Sequence, residues 1–144
     1  MSSPVFLVRH AEAQAGGMDA DRRLSATGKE SFAALLQMLG TKLTVKRILS
    51  SPFRRARETA SLLAGATGAP AEPSDDLASG HAGGRELLDL ARQEGPGTML
   101  VGHNPEVAEA IAIAAGKPSA VPPGTVAALD LSGPEPRLLW LRSP

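Results

Sequence analysis

Cysteine is absent from the 144 residues. Its absence excludes thiolate nucleophiles, thiolate zinc sites, iron–sulfur clusters and a disulfide scaffold. Aromatic residues are scarce: Phe6, Phe32, Phe53 and Trp140 are the full set, too few for a base-stacking platform. Neither sign of charge dominates, since fifteen Lys and Arg face fifteen Asp and Glu. A chain without net charge offers no broad attraction to nucleic acid or to an anionic membrane. Long apolar runs are missing as well, and nothing approaches the ~20 residues of a membrane span. The run Val5–Val8 is too short for a signal-peptide core and leads into Arg9. The expectation is a soluble cytoplasmic protein, monomeric by default, with no nucleic-acid or membrane partner. Its chemistry must use His, Arg, carboxylates or hydroxyls.

What is present fits one domain over residues 1–144. At this size roughly 70% of the unfolded surface is buried on folding, so no staple is needed. Short β-rich runs fall at Val5–Val8, Val45–Leu49, Met99–Val101, Thr125–Leu131 and Leu138–Leu141. Stretches with helical period lie between them. Phe32, Leu35, Leu36 and Leu39 repeat at i, i+3, i+4, i+7 after Ser25-Ala26-Thr27-Gly28. Ser51-Pro52 reads as an N-cap and first helical position, with Phe53, Ala56, Ala60 and Leu63 on the buried side of the helix. Leu87, Leu88 and Ala91 mark a third helix, ended by Gly95-Pro96-Gly97, and Glu106–Ala115 a fourth, stopped by Gly116.

This alternation predicts a three-layer α/β/α sandwich with a mostly parallel sheet. The turn Ser132-Gly133-Pro134 joins the last two strands as a hairpin, so one strand runs antiparallel. Gly65–Gly84, rich in small and polar residues, reads as a surface loop or lid, with a short strand near Ala71. Pro118–Pro123 reads as a connector.

Ligands of open α/β sheets bind beyond the carboxyl ends of the strands. Three such ends carry reactive residues: Arg9-His10, then Ser50-Ser51-Pro52 followed by Arg54, Arg55 and Arg57, and Gly102-His103-Asn104-Pro105. Paired arginines match phosphate oxygens in bidentate fashion. A helix starting at Pro52 would aim its N-terminal dipole at the same place. A neutral imidazole can attack phosphorus and form a phosphohistidine, while Arg and protonated His neighbours stabilise the transferring group. Nearby Arg charges should also keep the attacking imidazole neutral. Each residue has a plain structural reading too. His10 fits a buried strand-end histidine, His103 a turn before Asn-Pro, and Arg54 a solvated i, i+4 pair with Glu58. Asp75 and Asp76 fit turn formers, and His81 an exposed loop histidine. The three histidines lack metal-ligand spacing, so no metal is expected.

The strings Leu7-Val8-Arg9-His10-Ala11-Glu12-Ala13, Ser50 to Ala60 and Val101-Gly102-His103-Asn104-Pro105 resemble the three signatures of the histidine phosphatase superfamily, which includes the phosphoglycerate mutases. The Arg-His-Ala form and the short length resemble its SixA-like phosphohistidine phosphatase branch. The resemblance runs from about Val5 to Trp140. It implies a phosphoglycerate mutase-like fold and no metal or organic cofactor. It implies His10 as nucleophile, Arg9 and Arg55 as phosphate clamp, and His103 as the second pocket histidine. Asn104 and Ser51 are further phosphate-binding candidates. Larger members place an acidic proton donor after the third strand, but no Glu stands near Ser79, leaving Asp76 and His81 as candidate donors. A missing acid disfavours alkyl phosphates. It costs less for a phosphohistidine, because imidazole leaves with a conjugate-acid pKa of about 6.5. The expected substrate is therefore a phosphorylated protein of the histidine-phosphotransfer type. The alternatives are a phosphatase of small phosphate esters and a catalytically weak phosphate- or phosphoprotein-binding module. The short chain leaves no room for the large inserted lids of the mutases, which favours the protein-borne substrate.

Overall fold

The computed structural model describes residues 4–144. Its order is β1 (Val5–Arg9), α1 (Ala26–Leu39), β2 (Arg47–Ser50), α2 (Arg54–Thr67), β3 (Ala71–Pro73), α3 (Gly84–Glu94), β4 (Thr98–Gly102), α4 (Glu106–Ala115), β5 (Val126–Asp130) and β6 (Arg137–Arg142). The strands form one sheet in the order β3-β2-β4-β1-β5-β6. β3, β2, β4 and β1 are parallel, and β5 pairs antiparallel with both β1 and β6. The α/β/α expectation with a single reversed strand is met.

The layers follow from alternation along β1. Phe6 and Val8 point to one face and pack with Phe32, Leu35, Leu36 and Leu39 of α1 and Ala56, Ala60 and Leu63 of α2. Val5 and Leu7 point to the other and pack with Leu87, Leu88 and Ala91 of α3 and Val107, Ala110 and Ile111 of α4. A strand buried on both faces reads as a continuous apolar run for this reason. Ser25 caps α1, its Oγ accepting from the Gly28 N–H at 2.9 Å. Gly28 is required there, because a Cβ would meet the Glu12 carbonyl oxygen at 2.2 Å.

Two local expectations change. α2 begins at Arg54, not Pro52, with extended Phe53 as its N-cap and no side-chain cap. The Ser51 hydroxyl still accepts from the Phe53 N–H at 3.1 Å, but it also serves a tertiary partner, and the helix starts later. A dipole starting at Pro52 is accordingly not available. Phe53 lies before the helix and not along its buried side.

The second change concerns Gly65–Gly84. α2 continues to Thr67, β3 occupies Ala71–Pro73, and a single 3-10 turn spans Asp75–Leu77 with Leu77 buried. The rest is fastened down: Glu106 Oε2 accepts from the Gly80 N–H at 3.0 Å and Glu109 Oε1 from the Gly84 N–H at 2.9 Å. These two bonds, with buried Leu77, hold the segment against α4, so it is not built as a lid.

Candidate active site

The loops after β1 and β2 are laced onto β4. The His10 N–H donates to the Gly102 carbonyl at 3.0 Å and the Ser51 N–H to that of Val101 at 2.9 Å. This brings together His10, Arg55, His103 and Ser51, all buried, beside half-buried Arg9. The His10 and His103 ring centres lie 5.2 Å apart, edge to face.

The hydrogen bonds of His10 define its chemistry. Its Nδ1 lies 2.7 Å from the Ala11 carbonyl oxygen, which can only accept, so Nδ1 carries the proton. Nε2 then holds a lone pair, and the Arg55 Nε–H donates to it at 3.2 Å. The imidazolium is pushed down to a pKa of about 4. Burial is the largest cause; the Ala11 carbonyl opposes it, and the charges of Arg55, Arg9 and Arg22 add to it. The arginines thus act in the expected direction but rank below desolvation.

His103 is neutral as well, pushed down to about 3, first by burial and then by His10 and Arg55, with Asp19 opposing. Burial beside the arginines thus disfavours the protonated form expected of this neighbour. Its tautomer follows from donor accounting. Ser51 is fully buried, its Oγ accepts from the Phe53 N–H, and its own proton finds an acceptor in His103 Nε2 at 2.7 Å. His103 Nδ1 then carries a proton and has no protein partner. Arg9 Nε is likewise buried without a partner, while Arg9 Nη1 donates to the Val121 carbonyl at 2.9 Å. Orphaned buried donors are rare and costly, and an oxyanion supplies the acceptors that these two lack.

The other expected site residues have different partners. Ser51 sits behind His103 and orients it. The Asn104 amide is committed, donating to the Val121 carbonyl at 3.0 Å and accepting from the Ala108 N–H at 3.1 Å, which ties the start of α4 to the connector. Asp76 and His81 stand 3.6 Å from each other with side chains 65% and 54% exposed. They line an open groove along α3 with Glu86, Asp89 and Leu90, and Asp76 also lines a small cavity shared with Gly102 and His103. Arg54 makes the expected pair with Glu58 at 3.2 Å, and the Arg57 Nε–H donates to the Pro52 carbonyl.

Several participants were not visible in the sequence. Thr59 Oγ1 accepts from the Ala11 N–H at 3.0 Å and donates to the Arg55 carbonyl at 2.8 Å, fixing the residue that sets the His10 tautomer. The Ala-x-x-Thr spacing after Arg55 was its only signal. Phe53 packs its ring against His103 and under the Arg55 guanidinium, each at 5.1 Å. Asp19 receives the Arg55 Nη1–H at its carbonyl, 2.6 Å away, and holds its carboxylate 3.5 Å from Nη2. No set of three or more His, Cys, Asp or Glu side chains is placed to hold a metal ion among the described residues.

Comparisons with known proteins bear on the fold and the family. Among solved structures the chain resembles a candidate phosphohistidine phosphatase, SixA, of Agrobacterium tumefaciens at 28% identity and TM-score 0.84, covering 100% of this chain and 99% of that one. It shares the fold of a protein histidine phosphatase SixA complexed with tungstate at 24% identity and TM-score 0.84, covering 98% and 97%. The fold is also that of a phosphoserine phosphatase of Entamoeba histolytica, at 16% identity and TM-score 0.73, covering 99% and 98%. No curated protein matches. A family model matches residues 5–105, a span that takes in all three polar strand ends, and the chain belongs to the histidine phosphatase superfamily (branch 1).

Proposed function

We propose that this phosphatase works through a phosphohistidine at His10 and takes its phosphoryl group from a histidine on another protein. One observation carries the reading: His10 is locked with its proton on Nδ1, so its Nε2 lone pair faces the Arg55 guanidinium. Nε2 attacks phosphorus and the substrate P–N bond breaks. Arg9, Arg55 and the Nδ1–H of His103 hold the phosphoryl oxygens as their charge spreads in the transition state. Water then attacks phospho-His10, the P–N electron pair returns to Nε2, and inorganic phosphate leaves.

The choice of substrate rests on what stands beside the site. The two candidate acids, Asp76 and His81, pair with each other at the surface. An alkoxide leaves poorly without an acid, whereas imidazole leaves readily. The 65–84 segment is tethered to α4 and does not serve as a closing lid, which suits a histidine presented by a folded partner.

The test sets a phosphohistidine peptide against a phosphoserine peptide and p-nitrophenyl phosphate. Preference for phosphohistidine, with label trapped on His10 and turnover lost in His10→Ala, is the expected result. Equal or better turnover of the phosphoserine peptide would reject the substrate assignment. Full turnover by His10→Ala would reject the covalent mechanism. Phosphate affinity without turnover would leave a binding module.

A further inference from the structure

We propose that Asp19 is a specificity-determining residue, a carboxylate at the mouth of the site that favours phosphoryl groups carried on a cationic ring over those carried on a neutral oxygen. The inference rests on the phosphatase reading above and extends it to the choice of leaving group.

The Arg55 guanidinium is shared between two partners. Its Nε–H donates to His10 Nε2 at 3.2 Å, and its other edge faces Asp19, at 2.6 Å from the carbonyl and 3.5 Å from the carboxylate. The carboxylate therefore sits across one planar group from the reacting nitrogen. It is also held by Arg22 at 3.3 Å, while Arg54 reaches the neighbouring Asp21 at 3.6 Å. α2 grips the loop further along, where Glu58 Oε1 accepts from the Leu24 N–H at 2.7 Å. The Asp19 side chain is nevertheless 64% exposed, so it meets whatever approaches. Arg55 and Arg22 keep it below the ordinary carboxylate value although burial opposes them.

An anion at the entrance of a phosphate site needs a reason. A carboxylate repels a phosphate dianion and weakens the field of the arginine beside it. That penalty is offset when the substrate brings a positive charge next to its phosphorus, as a protonated phosphohistidine ring does. With a proton on the far ring nitrogen, His10 Nε2 bonds to phosphorus, the P–N electron pair falls back to the near nitrogen, and neutral imidazole departs. Asp19 stabilises the protonated ring and so raises the fraction of substrate ready to react. A phosphate ester has no such proton to hold, and for it Asp19 is repulsion alone.

Asp19→Asn and Asp19→Glu in the full chain test this against a phosphohistidine peptide and p-nitrophenyl phosphate. Asp19→Asn is expected to lower kcat/KM for phosphohistidine by about tenfold, the effect of one charge at intermediate screening. Its effect on p-nitrophenyl phosphate should be much smaller or of opposite sign, and inhibition by vanadate should tighten. Asp19→Glu should recover part of the preference. The alkaline limb of the phosphohistidine pH profile should also move to lower pH in Asp19→Asn, because the ring loses its counter-charge. The charged and titratable groups facing Asp19 are Arg55 of α2, Arg22 of its own loop and His103 at the end of β4. They are the same in both variants. Equal losses on the two substrates would mean that Asp19 only positions Arg55, and would overturn the proposal. Absence of phosphohistidine turnover in the unaltered chain would instead overturn the function reading, and this inference with it.

Discussion

At the scale of single residues, the site is organised by tautomers rather than by charge. Ala11 and Ser51 each direct one proton: the carbonyl of Ala11 puts it on His10 Nδ1, and the hydroxyl of Ser51 leaves it on His103 Nδ1. One imidazole then offers a lone pair and the other a donor at neutral pH. Thr59 stands behind this arrangement. Replacing Thr59 by Val removes the acceptor of the Ala11 N–H inside the core. The expected cost is about 1–3 kcal/mol, seen as a lower urea midpoint, together with a fall in kcat that Thr59→Ser restores. A Val variant as stable and as active as the original would remove Thr59 from the positioning role. The strand-end arginines and histidines were legible in the sequence, because short apolar runs announce where strands stop. Asp19 and the Val121 carbonyl were not, because each acts through a partner far along the chain and carries no local pattern, and Thr59 showed only in the Ala-x-x-Thr spacing after Arg55. Ser51 misled for the opposite reason: Ser-Pro is a strong local helix signal, and a tertiary bond to His103 overrode it.

At the scale of elements, α2 is the organising piece. Its Arg54, Arg55, Glu58 and Thr59 all reach the segment between β1 and α1, so a charged string that resembles a solvated face is largely spent holding one loop. α3 and α4 meet differently, through a close approach at Gly84. A Cβ there would lie 2.5 Å from Glu109 Cβ and 2.7 Å from the Ala110 nitrogen. Gly84→Ala should push the two helices apart and cost about 1–3 kcal/mol. Gly65, inside α2 with nothing within 4 Å, makes the contrasting case. Gly65→Ala should stabilise by roughly 0.5–1 kcal/mol through helix propensity. Thermal unfolding of the two variants checks both signs, and two shifts in the same direction would contradict the packing argument. The helix bounds of α4 were readable to the residue from its Gly116 stop, whereas the 65–84 stretch was under-read, since its order comes from two glutamates on another helix.

At the scale of the whole molecule, the buried imidazoles make stability depend on pH. His10 and His103 titrate at about 4 and about 3 in the folded chain, against an ordinary 6.5. Between those values the unfolded chain binds more protons, so stability is full above about pH 6.5 and falls as pH drops toward 4. Melting temperatures taken between pH 7 and pH 5 should decline, ahead of most carboxylate titration. His10→Asn and His103→Gln should each flatten the slope. A flat profile in the unaltered chain would show that the two rings are not held neutral. The three-layer architecture was the most legible feature at this scale, since a run buried on both faces leaves few alternatives. The tether of Gly80 and Gly84 to Glu106 and Glu109 has a kinetic meaning as well. A segment fastened to α4 at Gly80 and Gly84 does not swing, so inorganic phosphate escapes without waiting for a door. Turnover is then paced by encounter with the phosphorylated substrate and by bond cleavage, and a viscous solvent slows only the encounter.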